Sequence, residues 1–207
     1  KARTELLHRG GFTLIELLVV IGIVTLLMGI LLPAINRARD AAKQAQCGAN
    51  LRSVGQAIGA YLNDNNAFYP PMASLPTKES LLHPTNPRPP MCDVLAPYVS
   101  NQKDVFRCPS DRIYEPGETP PAGVTTWFEW QGSSYEPRMG LSLVDANGYW
   151  LLSKEGHDRQ QLESLLGSTS KIMLGNDYEG FHGRSGSGGD GVTMTLFADF
   201  HVEALAG

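Results

Sequence analysis

The sequence predicts an α+β chain, in which one long N-terminal helix, membrane-spanning in its first half, packs on a C-terminal antiparallel β-sheet domain. Three observations carry this. An apolar run of 21 residues, Phe12–Leu32, holds a single charge, Glu16. Further on, Leu51, Val54, Ile58, Tyr61 and Leu62 recur at the three-and-four spacing of one helix face, with Cys47 on the same face. The second half of the chain then breaks into short β-branched and aromatic runs separated by turn residues.

At ~1.5 Å rise per residue the apolar run spans ~31 Å as a helix, about one bilayer core. Lys1, Arg3, His8 and Arg9 precede it, and no basic residue follows until Arg37. Positive charge stays cytoplasmic, so everything after about Pro33 is expected to face outward. The chain opens on Lys1 rather than methionine, so further residues are expected ahead of it. A secretory signal has a shorter apolar region with a small-residue cleavage site after it. Here the Gly11-Phe12 junction lies before the run, and a cut there would leave the helix on the mature chain. Glu16 is a costly carboxylate in an apolar span, either functional or close enough to the membrane edge to snorkel. Gly22 and Gly29 each cost ~1 kcal/mol relative to alanine in a helix interior, and Pro33 ~3 kcal/mol. Packing relieves part of that cost in membranes. These residues read either as ordinary membrane-helix composition or as a soft stretch.

Gly11 before the junction, Phe12 after it, Glu16 fifth from the junction and Pro33 twenty-second form an ordered set. It resembles the class III signal of type IV pilins and type II secretion pseudopilins. The resemblance implies that a prepilin peptidase cuts between Gly11 and Phe12 and methylates the new Phe12 amine. It implies that Glu16 pairs with that amine on a neighbouring subunit, and that Gly22–Pro33 loses helical order in a filament. The implied partners are other pilin or pseudopilin subunits and an inner-membrane assembly platform. The implied location is the cytoplasmic membrane, single-pass, with the C-terminal domain extracytoplasmic. The organisation expected is a leader at 1–11, a transmembrane and assembly helix at 12–33, its amphipathic continuation at 34–62 and a β-rich globular domain at 63–207.

Asn63-Asp64-Asn65-Asn66 should end the long helix, since Asn and Asp tolerate left-handed backbone. Seven prolines between 70 and 90 mark an irregular loop. Asp93–Tyr98 reads as a short helical turn, and Val124–Trp130 as a strand. Leu141–Val144 and Tyr149–Leu152 flank Asp145-Ala146-Asn147-Gly148, a hairpin signal. His157–Leu166 has helical spacing. Lys171–Asn176 and Val192–Ala198 read as core strands, with His201–Leu205 returning after a two-residue turn.

The chain carries a net charge of −4. The leader holds Lys1, Arg3 and Arg9 against Glu5, so its loss would take the remainder to −6. That balance argues against a dedicated nucleic-acid surface. Cys47, Cys92 and Cys108 would face an oxidising compartment. No Cys-x-x-Cys pair exists, so a zinc ribbon or thioredoxin-like motif is unsupported. Three pairings are open. Cys92–Cys108 is the local one, and Cys47 also suits a buried apolar position on its helix.

A second set of strings comprises Cys47–Arg52, Leu95–Tyr98, Val105–Asp111, Ser133–Tyr135 and Leu196–Glu203. Together they resemble pseudopilin-like proteins with a C-terminal His, nine residues, Asp-Gly motif. The resemblance places Cys47 and Cys108 at recurring positions. It makes His182 the motif histidine, but 16 residues then separate it from Asp199, and Phe200 stands where glycine is expected. Phenylalanine accepts positive φ only with strain, so either the turn differs or the hairpin register has shifted.

Gly186–Gly191 fits Gly-x-Gly-x-x-Gly but precedes a strand, which fails the dinucleotide context. Asp177, His182, Asp190, Asp199 and His201 gather near the C-terminus. Calcium would want such oxygen ligands, with Asp177, Asp190 and Asp199 as candidates. Their spacing matches no EF-hand, and aspartates in glycine-rich turns are commonly turn formers. Trp127, Phe128, Trp130 and Trp150 could line a carbohydrate or protein surface, or sit in the core. No Gly-x-Ser-x-Gly or His-Glu-x-x-His is present. The reading is therefore a structural subunit without catalytic residues or cofactor. The alternative is a membrane-anchored extracytoplasmic binding protein that never polymerises.

Overall fold

The computed structural model describes residues 14–73, 76–79, 85, 87–113, 120–137, 140–144, 150–153, 160, 164, 170, 173–177, 182 and 191–206. The helix expected over His157–Leu166 falls almost wholly outside them. The chain divides into two compact units, Lys1–Ala41 and Ala42–Gly207. Helix α1, Leu14–Asp64, contributes to both.

In the first unit every described residue is helical and exposed. Leu14, Leu18, Leu26 and Ile30 stand at 86, 68, 68 and 68% exposure, values no water-facing helix would keep. Pro33 sits inside the helix, where it cannot donate the amide hydrogen bond that the Gly29 carbonyl would otherwise receive. Thr25 Oγ1 donates back to the carbonyls of Ile21 and Gly22, at 2.9 and 3.0 Å. In the single chain the helix nevertheless runs through this stretch unbroken.

In the second unit α1 buries Cys47, Leu51, Val54, Ile58 and Leu62, the stripe read from the sequence, and Tyr61 lies partly buried beside it against Tyr98. Asn66 and Ala67 adopt positive φ, and the Ala67 amide donates to the Leu62 carbonyl at 2.8 Å, closing the helix. A four-stranded antiparallel sheet has the order β1 (Tyr135–Pro137), β4 (Met173–Asp177), β5 (Val192–Phe197), β6 (Val202–Ala206). Strands β2 (Gly140–Val144) and β3 (Trp150–Ser153) form the expected hairpin as a separate two-stranded sheet. Glycines at 48 and 55 let α1 approach β5. A Cβ on Gly48 would meet Met194 at 3.2 Å, and one on Gly55 would meet Leu196 at 3.0 Å. Leu174, Leu196, Tyr135, Phe106 and Leu95 fill the shared core.

Several local expectations are corrected. Val124–Trp130 is not a strand. Residues Trp127–Gln131 form helix α3, because Thr126 caps Glu129 and Gly132 closes it in the left-handed region. Thr-x-x-Glu followed by glycine is a helix signal that the aromatic run obscured. The turn expected over Asp93–Tyr98 begins earlier, as α2 (Met91–Leu95) running into a 3-10 turn, Ala96–Val99. The proline-rich stretch is less irregular than expected. It holds a 3-10 turn at Pro76–Lys78, a bridge between Ala73 and Pro90, and a buried Glu79 gripped by the Arg88 guanidinium at 2.6 and 3.3 Å.

The β5–β6 connection has four residues, Ala198–His201, rather than two. The Phe200 amide donates to the Phe197 carbonyl, and the Phe197 amide donates to the His201 carbonyl. This is a turn followed by a left-handed residue, a position that glycine usually fills. Phe200 occupies it at φ 67°. Its ring lies over Gly55 and Gly59 of α1, where added Cβ atoms would approach it to 3.3 and 3.0 Å. Packing thus offsets a backbone strain of about 1–2 kcal/mol. Two substitutions separate these terms. Phe200→Ala, which loses the ring and keeps the strain, is expected to destabilise the domain by about 2–3 kcal/mol. Phe200→Gly is expected to be about 1 kcal/mol more stable than Phe200→Ala, as read from urea unfolding midpoints.

Candidate functional site

Two places concentrate chemistry: the N-terminal segment and a buried cluster around the cysteines. Gly11 and Phe12 lie outside the described residues. Glu16 sits in the first turn of α1, exposed, where a carboxylate complements the partial positive charge of the helix N-terminus. Pro33 is 17 positions further along the same exposed apolar stretch. The described part of this unit offers a long apolar surface with one acid at its start.

In the second unit Cys47 and Cys108 form a disulfide that closes a separation of 61 residues, and Cys92 is left as a buried free thiol. Burial, and then the neighbouring Asp93 charge, push the Cys92 thiol upward, which disfavours its thiolate. The Cys108 amide donates to Ser134 Oγ at 2.9 Å, and Ser134 Oγ donates to Asp111 Oδ2 at 2.6 Å. The Asp111 carboxylate also accepts the Trp127 and Phe128 amides at 2.9 and 2.8 Å, so it caps α3 from another segment. The Ser134 amide donates to the Phe106 carbonyl, and Tyr135 Oη donates to the Cys47 carbonyl at 3.4 Å. Asn50 Nδ2 donates to the Arg107 carbonyl at 2.8 Å. Residues 106–111 are thereby fastened to α1, to α3 and to β1.

His182 adds to this cluster. Its backbone bridges Val192, and its Nε2 lies 3.7 Å from Cys108 Sγ and 3.8 Å from Asp177 Oδ2. Asp177 Oδ2 accepts the Met194 amide at 2.9 Å, and Asp177 Oδ1 is buried without a hydrogen-bond partner. Burial raises the Asp177 carboxyl well above the ordinary carboxylate range and lowers the His182 imidazole, so the neutral form of each is favoured.

Two of the calcium candidates, Asp177 and Asp199, lie among the described residues. Asp177 is fully buried beside Met194, whereas Asp199 lies in the β5–β6 turn and bonds its neighbour His201. Asp190 and most of the Gly186–Gly191 string lie outside the described residues. Trp127 is buried and stacks on Trp130 at 5.2 Å, so the first of these aromatics is core. Sequence reasoning missed the roles of Asp111, Ser134 and Tyr135. It quoted them only within short strings, and nothing in their spacing shows that they meet.

Two outcomes test this cluster. Reducing the bridge is expected to cost about 4 kcal/mol of stability from the reopened loop, measured as the shift in unfolding free energy with and without a dithiol. Asp111→Ala removes two helix-start acceptor contacts and is expected to cost about 2 kcal/mol, seen as a lower urea midpoint with an unchanged slope.

Residues 6–32 match the family profile described as the prokaryotic N-terminal methylation motif. No curated protein and no solved structure matches the chain. The matched segment ends one residue before Pro33 and covers Gly11, Phe12, Glu16 and the apolar run. The helix that carries it is long and apolar enough to cross a membrane. The chain thus joins a prepilin-type N-terminal methylation motif to one long apolar helix and a C-terminal four-stranded antiparallel sheet, an α+β, pilin-like arrangement.

Proposed function

We propose that the protein is a structural subunit, a pseudopilin or pilin, of a type II secretion pseudopilus or a type IV pilus-like filament. A prepilin peptidase cuts it between Gly11 and Phe12 and methylates the new amine. The observation that carries this reading is the methylation motif at 6–32, set on a helix whose first unit exposes large apolar side chains throughout. Such a surface is stable only in lipid or against other apolar helices.

Before assembly the helix is held in the cytoplasmic membrane and the C-terminal domain faces outward, in line with the basic residues ahead of the apolar run. Assembly exchanges lipid contacts for helix packing with other subunits, so little net hydrophobic energy is gained and specificity must come from elsewhere. Glu16 supplies it. In a water-free bundle its carboxylate requires a cation, and the Phe12 amine of a neighbour sets the axial register rather than adding net stability. The amide missing at Pro33 makes Gly22–Pro33 the stretch that yields when subunits pack. The protein performs no chemistry in this scheme; it is the substrate of the peptidase.

Intact mass and N-terminal fragmentation of the protein, from hosts with and without prepilin peptidase, tests the processing. A chain starting at Phe12 and bearing one extra methyl group is expected only with the peptidase. An uncut chain in both hosts would leave Phe12–Leu32 as a plain anchor. Glu16→Ala tests assembly: membrane insertion is expected to persist while filaments are lost. Unchanged behaviour would favour the membrane-anchored binding protein.

A further inference from the structure

Cys47 Sγ, Cys108 Sγ and a ring nitrogen of His182 all lie within 4.8 Å of one another, and all three residues are buried. They come from α1, from the 106–111 segment and from the position that bridges Val192. For zinc with thiolate at about 2.3 Å and imidazole at about 2.0 Å, tetrahedral angles separate sulfur and nitrogen by about 3.5 Å and two sulfurs by about 3.8 Å. His182 Nε2 already stands 3.7 Å from Cys108 Sγ. The S–S distance must open, as reduction allows. A second observation points the same way. Asp177 is fully buried, its Oδ1 has no partner, and its Oδ2 lies 3.8 Å from that same imidazole nitrogen. A buried oxygen donor therefore lies beside the His182 ligand atom.

We propose that, when the Cys47–Cys108 bridge is reduced, Cys47, Cys108 and His182 bind one thiophilic divalent cation of the zinc class, with Asp177 offering an oxygen for the fourth position. Reduction by a dithiol adds one electron and one proton to each sulfur and oxidises the dithiol to its own disulfide. Metal binding then releases both thiol protons to solvent, and the two thiolates neutralise the cation. The metal joins α1 to the 106–111 segment where the disulfide did. The fold thus keeps the same cross-link in oxidising and reducing surroundings. This inference does not rest on the assembly reading.

The test uses the full-length protein in detergent micelles, carrying Cys92→Ala so that only the bridge cysteines report. The chain is reduced with a phosphine, freed of it and titrated anaerobically with Co2+. One equivalent is expected to give thiolate-to-cobalt charge transfer in the near ultraviolet with visible bands of tetrahedral cobalt, and the oxidised chain to give neither. His182→Gln is expected to weaken binding by at least about tenfold, and Asp177→Asn by less. Absence of charge transfer in the reduced chain, or an affinity unchanged by His182→Gln, would overturn the proposal. Should reduction itself erase the helical circular dichroism, its recovery on adding Zn2+ supports the site, and failure to recover overturns it.

Discussion

The Cys47–Cys108 bridge fixes where an otherwise irregular segment meets the long helix. Residues 106–111 belong to no strand; beside the Ser134 amide on the Phe106 carbonyl, side chains hold them in place. Once Cys108 is anchored to α1, the Ser134 hydroxyl and the Asp111 carboxylate can satisfy amides from the Cys108 loop and from α3 within one connected set of bonds. A buried carboxylate is costly unless its acceptors are used, and here three donors use them. The bridge, the cap and the first strand therefore stand or fall together.

Close approach between helix and sheet is the second constraint. Glycines on the buried face of α1 admit Met194, Leu196 and Phe200, which larger residues would keep away. The Phe200 ring then makes tolerable a left-handed backbone that phenylalanine ordinarily avoids. One site thus stores backbone strain and offsets it with packing across the chain.

The two halves of α1 obey different solvents. From Cys47 onward its apolar residues form one stripe and its polar residues face water. In the first unit apolar side chains cover the whole circumference, so no orientation hides them in a single soluble chain. That contrast is what ties the methylation motif to a membrane and to other helices.

The amino-acid sequence was sufficient for features encoded by contiguous pattern. The apolar run with its lone Glu16, the stripe from Cys47 to Leu62, the Asn-rich helix end and the pairing of β2 with β3 each depend on neighbours a few residues apart. The α+β class followed from them. The turn at Phe200, the helix at Trp127–Gln131 and the pairing of Cys47 with Cys108 did not. Their outcome rests on groups far away in the chain: the glycine notch in α1, the Asp111 carboxylate, and the loop that returns Cys108 to the helix. Likewise, no spacing rule shows that His182 lies against Cys108, 74 residues earlier. Local propensity acts over one or two turns, whereas burial and covalent closure act through space, and the chemistry of the buried cluster belongs to the second kind.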